Sequence, residues 1–540
     1  MAALGAAFAL PLQPPGCNQT AHYALVQSLA DGTPRIDRYH AQTCDTAYID
    51  GHYYAAKSPG LALFTLPWYL GLDAVGAVPA SRDLDKGFPA AMLAVPRRAL
   101  WQVGLWGAVL PALALVVLFR SVARRIEPGT GTGAAVPLGL GTMVLPFATV
   151  FFSHVLAATL GFAAFAVLFL RRNPALAGLL AGLAVTTEYP LGVLGAALAV
   201  YAWRRAPAYL AGLAVGVSPL LAFNWWAFGS PFHVSYANAV LEPGKTGHDV
   251  LGANSSGFFG IETPSLRVTA ELLFSAKGLL VLSPILAAGA AGLVLLYRRG
   301  FRAEATLAAA VSLVYLVYNS GYYVPFGGYV PGPRFLISII PLLALGLLLA
   351  LRRWPGATIA LAVVSTGAMV VATAAEPLLG NDDTRSWLRR WQHGDFAQTV
   401  VTLLGDGHSW LAIAPFLVAA LVAAVLAAAR LPKPTLDATA IAAVGAWAIV
   451  LLAAPDLLRT DRSVGQAWGL IALVALLAVL ALLLARPTPS RLVAAAPLGL
   501  LALPHFASHT KQSLAACVAA VLLLAAVGSR RFSSRSPSRR

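Results

Sequence analysis

Uncharged apolar windows recur along the chain, among them 101–119, 278–297, 335–351, 410–429 and 468–485. Each runs about 17–21 residues, the length a helix needs to cross about 30 Å of hydrocarbon. A water-soluble fold has no interior large enough for so many. Of the 540 residues, 58% are hydrophobic and 11% charged, with a mean hydropathy of +0.73; a soluble domain is roughly one-quarter charged. The sequence therefore predicts an all-α fold, a polytopic transmembrane helical bundle of about 14–16 spans with extracytoplasmic loops carrying short interfacial helices.

The net charge of +16 would suit nucleic acid if the cations formed one patch. They come instead in pairs at the ends of apolar windows: Arg124/Arg125, Arg171/Arg172, Arg204/Arg205, Arg298/Arg299 and Arg352/Arg353. Threading the chain through a membrane places 21 of the 38 Lys and Arg on one face, with only Glu127, Glu304 and Asp437, and so +18 there against −2 on the other. Positive loops stay in the cytoplasm, which fixes the orientation and excludes nucleic acid as the partner. The basic tail 529–540 is expected to be cytoplasmic and close to anionic lipid.

Spans are expected near 99–119, 132–152, 154–170, 174–187, 189–203, 207–228, 278–297, 303–321, 335–351, 355–374, 409–429, 438–455, 466–485, 492–504 and 513–528. Residues 1–13 are apolar but short for a crossing, as the end of a helix beginning further upstream would be. The large connections, 14–98, 229–277 and 375–408, fall outside, and chemistry is expected there. Residues 20–30 read as a helix lying on the membrane, and 59–79 as interfacial or re-entrant, since a crossing there would turn every later Arg pair outward. All ten histidines fall on the outer face with no metal-ligand spacing, and read as solvated. Cys17 and Cys44 share the first loop, where an oxidising compartment permits a disulfide; Cys517 reads as packing in the last span.

Polar chemistry concentrates in the first loop. Asp31, Arg35, Asp37, Arg38, His40, Asp45, Asp50, His52, Tyr53, Tyr54 and Lys57 precede an apolar stretch, which places carboxylates and a cation at a membrane surface. Transfer from a lipid phosphate needs that pairing: a carboxylate to take the acceptor's proton, a cation to hold the departing phosphate. Gly51-His52-Tyr53-Tyr54 followed by Lys57-Ser58-Pro59-Gly60-Leu61 resembles the Lys-Pro-Pro-Leu signature of GT-C superfamily glycosyltransferases, nearest the protein O-mannosyltransferase and lipid A aminoarabinose transferase group. Asn18-Gln19-Thr20-Ala21-His22-Tyr23-Ala24 is similar to that family's Asp-Glu-x-x-Tyr-Ala element, and Ser283-Pro284 and Gly332-Pro333-Arg334-Phe335 to helix openings in bacterial members.

The resemblance implies a GT-C-like module over 1–350, additional helices over 351–528, a polyprenyl-phosphate sugar donor, inversion at the anomeric carbon, and a glycan, lipid or protein acceptor at the outer face of the cell membrane. It departs in one place: the family's catalytic carboxylate maps onto Asn18, and an amide binds no proton near neutral pH. The base is therefore expected at Asp45, Asp37 or Asp50, with Asp45 brought beside Asn18 by a Cys17–Cys44 bridge. Substrate-binding candidates are Asn18, His22, His52, Tyr53, Tyr54, Lys57, Glu188, Tyr189, Glu262 and Arg334. Glu188 stands out because an acid at span depth costs about 2–3 kcal/mol unless exposed or paired. Lys57 and Arg334 also suit interfacial anchors, and Glu262 a loop turn. No cofactor is called for, and a divalent metal is left open. A transporter or flippase of lipid-linked saccharides, or an inactive carrier-binding relative, are the alternatives.

Overall fold

The computed structural model of the protein describes residues 1–81, 83–240, 260–378, 384–404, 410–431 and 438–457. The expected spans 466–485, 492–504 and 513–528, Cys517 and the basic tail lie outside them. Met1–Trp447 form one packed unit and Ala448–Arg540 a second, to which the end of the last described helix belongs.

The chain opens with α1 (Ala2–Ala9), β1 (Pro11–Leu12), α2 (Cys17–Ala30), the hairpin β2 (Thr46–Ile49) and β3 (His52–Ala55), α3 (Gly60–Ala74) and α4 (Ala90–Leu93). The hairpin turn is Asp50-Gly51, with φ of 50° and 85°. A two-residue turn whose twist matches its strands needs positive φ at both positions, and Asp-Gly supplies them with little strain. Helix α2 does not lie on a membrane: every residue from Asn18 to Leu29 is buried. Its polar side is covered by protein, with Gln19 donating to the Pro14 carbonyl and accepting from the Phe151 N–H. At fifteen residues, α3 is about 22 Å long.

The apolar windows follow. α5 (Arg97–Gly104) and α6 (Leu110–Ile126) join through one wide turn into a 30-residue helix. Then come α7 (Gly131–Leu140), α8 (Val144–Ala148), α9 (Ser153–Arg171), α10 (Pro174–Thr187), α11 (Leu191–Tyr201) and α12 (Ala206–Phe228). β4 (Ala239–Val240) pairs with β2, so the two large loops share a three-stranded sheet ordered β3-β2-β4. α13 (Leu266–Phe274) and α14 (Leu279–Leu282) meet α15 (Ile285–Arg298) at a 92° bend. After α16 (Arg302–Ser320), a 3-10 segment, Arg334–Ile339, and α17 (Ile340–Ala344) meet α18 (Leu347–Arg353) at 55°. α19 (Pro355–Ala374), α20 (Thr384–His393), β5 (Gln398–Thr399), which pairs with β1, α21 (Trp410–Ala428) and α22 (Ala438–Leu457) complete the described chain.

Among the described residues, five helices are long and apolar enough to cross a membrane, and seven if each bent pair is one span. This is a multi-pass helical membrane protein. Several expected crossings are broken. The window 132–152 divides at Gly141–Met143, after Pro137 has removed an N–H from the ladder, and 278–297 breaks before Pro284. Almost all of 131–148 is buried, the setting in which an interrupted helix is tolerated. α10 and α12 approach backbone to backbone, because a Cβ on Gly178 or Gly212 would run into a carbonyl of the other helix; small residues drive such contacts where no water is expelled.

Four of the five arginine pairs sit at helix C-termini, where the macrodipole favours cations, while Arg204/Arg205 occupy the short link between α11 and α12. Glu127, 7% exposed, gathers Arg352 at 2.6 Å and Arg299 at 3.5 Å, so the C-terminal ends of α6, α15 and α18 converge. Arg171 lies at the C-terminal end of α9, and His154 at its other end, about 26 Å away.

Candidate active site

Lys57 follows strand β3, and its ammonium is buried against Asp45, Nζ to Oδ2 2.8 Å, with 6% and 9% of the two side chains exposed. Three local features put Asp45 there. The Cys17–Cys44 disulfide forms, with the Cα atoms 5.2 Å apart. Thr43 Oγ1 accepts from the Asp45 N–H, and the Asp45 carbonyl accepts from the Ala56 N–H. Burial pushes the Lys57 ammonium down from its ordinary range, and the Asp45 carboxylate beside it pulls the other way. Gly60, at the start of α3, lies so near the end of α10 that a Cβ would sit 2.6 Å from the Thr186 carbonyl oxygen. That close approach carries the Lys57-Ser58-Pro59 turn to Glu188.

Glu188 caps α10 and turns the chain into α11. It accepts from Ser153 Oγ at 2.8 Å and is in contact with His154 Nδ1. Arg334 enters from the 3-10 segment. Its guanidinium lies over the rings of Phe152 and Phe335, 5.4 and 5.1 Å from their centroids. Buried Nε has no hydrogen-bond partner among the described residues.

These groups line one cavity of about 550 Å³. Asn18 and His22, one turn apart on α2, form part of its wall, with Tyr189, Tyr236, Tyr318 and Tyr322. Both ring nitrogens of His22 and Oδ1 of Asn18 are buried without a partner among the described residues, a state that a polar ligand would relieve. Lys57 also lies 5.6 Å from the Tyr236 ring centre. Among the described residues, no three His, Cys, Asp or Glu side chains gather in a way that could hold a metal ion.

Of the residues singled out in the sequence, Asn18, His22, Lys57, Glu188, Tyr189 and Arg334 meet at the cavity, and Asp45 reaches it only through Lys57. Asp37 is elsewhere, accepting from His52 Nδ1 at 2.8 Å and the Tyr53 N–H at 2.6 Å. Asp50 is the exposed hairpin turn. Tyr53 stacks on His40, Tyr54 packs against Phe228, and Glu262 is exposed, its neighbour Ile261 lining the cavity instead. The histidines are not uniformly solvated, for His22 is 1% and His154 4% exposed. His154, Ser153 and Tyr236 went unnoticed in the sequence; Ser-His opening an apolar window was the only available signal.

Burial first, then Lys57, hold the His22 imidazole well below its ordinary range. The unfolded chain would take up that proton below about pH 6.5. It therefore binds more protons than the folded state in acid, and stability falls as pH drops through that value. Thermal unfolding in detergent is expected at a lower temperature at about pH 5.5 than at about pH 7.5, and His22→Gln should narrow the gap. An unchanged gap in the variant would remove His22 as the cause.

No protein-family model matches the chain, nor does any curated protein. Two solved structures are similar to it, those of ArnT from Cupriavidus metallidurans in the apo state and bound to undecaprenyl phosphate. Each is 15% identical; the matches cover 98% of this chain and 75% and 76% of ArnT, with TM-scores of 0.43 and 0.45.

Proposed function

We propose that this chain is a membrane glycosyltransferase that moves a sugar from a polyprenyl phosphate to a cell-envelope acceptor at the extracytoplasmic surface. The observation that carries the reading is the meeting of two cations, Lys57 and Arg334, with one acid, Glu188, in a single cavity walled by apolar helices. A glycosyl phosphodiester has the complementary parts: an anionic leaving group, a polar ring and a hydrocarbon tail that stays in lipid. The cavity lies at the end of α9 remote from Arg171. With the arginine ends in the cytoplasm, that end faces outward.

In this reading Lys57 and Arg334 clamp the phosphate and stabilise the charge that develops on it. Glu188 accepts the proton of an acceptor hydroxyl approaching from the opposite side. The bond from the anomeric carbon to the phosphate oxygen breaks as the bond to the acceptor oxygen forms, so the configuration inverts. The electron pair leaves with polyprenyl phosphate, and the proton stays on Glu188. Asp45 orients Lys57 and preserves its charge, while Asn18 and His22, both uncharged, bind the sugar hydroxyls.

The test is release of radiolabelled polyprenyl phosphate from a panel of polyprenyl-phosphate sugars by the full-length protein in nanodiscs, supplied with an envelope extract as acceptor. Turnover of one donor supports the reading. Binding of polyprenyl phosphate without turnover of any donor would favour an inactive carrier-binding protein instead.

A further inference from the structure

Glu188 is held from behind. His154 Nδ1 and Ser153 Oγ both reach its Oε1. The imidazole is boxed by the rings of Phe147, Phe152 and Phe335, with centroids 5.6, 5.8 and 5.8 Å away. Nε2 is buried with no partner among the described residues, and Nδ1 has no aligned hydrogen bond beyond its close contact with the carboxylate. Such a collar leaves the ring little freedom to turn, so the nitrogen facing the carboxylate is fixed by packing. An imidazole that donates Nδ1–H to a carboxylate favours its ionised form and selects its rotamer.

We infer that His154 is a positioning residue for Glu188, aiming the carboxylate into the cavity and keeping it ready to accept a proton. The inference rests on the reading of Glu188 as the base. Other charged and titratable groups are near the same carboxylate: Lys57 from the first loop and Tyr315 and Tyr318 from α16 act on it, and Arg334 from the 3-10 segment and His22 from α2 share its cavity. Lys57 and Arg334 stay in the cavity when His154 is lost, so the variant changes what holds the carboxylate from behind and leaves the cations in place.

A hydrophobic carbodiimide reacts with protonated carboxyl groups in apolar surroundings, which gives a readout that needs no substrate. The purified full-length protein is treated with dicyclohexylcarbodiimide across a pH range, and labelling of the Glu188 peptide is followed by mass spectrometry. His154→Leu is expected to move the labelling midpoint up by about one pH unit. It should also lower kcat with KM little changed and shift the acid limb of the kcat profile by the same amount. His154→Asn, whose amide N–H can still donate, is expected to restore part of each. An unmoved midpoint in His154→Leu overturns the inference even if sugar transfer is observed, as does His154→Asn behaving like His154→Leu while unfolding at the wild-type temperature. A shifted midpoint in a protein that turns over no donor upholds the coupling and removes the glycosyltransferase reading.

Discussion

Lys57→Ala is expected to bring polyprenyl phosphate release down by about 100-fold or more, the scale set by loss of one preorganised group facing a developing charge. It should also cost stability, because the Asp45 carboxylate is left buried without its ammonium. Breaking one side of a buried ion pair typically costs about 3–5 kcal/mol, which a thermal or denaturant unfolding series in detergent can read. The two losses have different origins and can be separated. Removing the acid as well, in Lys57→Ala/Asp45→Ala, takes away the stranded charge, so stability should return towards wild type while activity stays lost. Substantial turnover by Lys57→Ala, or recovery of activity in the double variant, would leave Lys57 as a structural partner of Asp45 and nothing more.

The helical membrane architecture was legible because the bilayer imposes a length, and three of the arginine pairs, those ending α6, α15 and α18, do lie at one end, where Glu127 gathers Arg299 and Arg352. Breaks inside the windows were harder to see. Gly346 permits the bend before α18 because it lies against Gly289 and Gly292 of α15, a contact between residues more than fifty positions apart. Assembly of the site depends on similar distant approaches, with Lys57 brought to Glu188 by Gly60 sitting on the end of α10, and Arg334 arriving from the separate 3-10 segment. Each of the three had nonetheless stood out singly, as an acid at span depth or a cation beside a proline turn.

The first-loop carboxylates show what clustering in sequence conceals. Asp50-Gly51 is a hairpin signature, and alternation in Thr46–Ile49 and His52–Ala55 would have marked the strands flanking it. Asp37 then closes that hairpin through His52 and the Tyr53 amide. Both carboxylates serve local structure, which left Asp45 and Glu188 as the acids at or beside the cavity among the described residues. α2 misled for a related reason: Ala21, Ala24, Leu25 and Leu29 on one face suggested contact with a membrane surface, yet the helix is buried on all sides from Asn18 to Leu29.

Glu188→Gln separates those two acids. The amide keeps the size of the carboxylate and can still accept from Ser153, but it takes no proton at any relevant pH. Loss of a positioned general base costs about 10²–10⁴ in rate, so kcat should fall by that factor with donor KM nearly unchanged. Asp45→Asn should act differently. Its effect passes through Lys57, whose ammonium, already pushed down by burial, would lose the neighbour that keeps it charged. That change should weaken retention of the phosphate and raise donor KM, most steeply at alkaline pH, where the unsupported ammonium loses its proton. The reverse pattern, full kcat in Glu188→Gln with none in Asp45→Asn, would move the base into the first loop and leave Glu188 as a wall of the acceptor site.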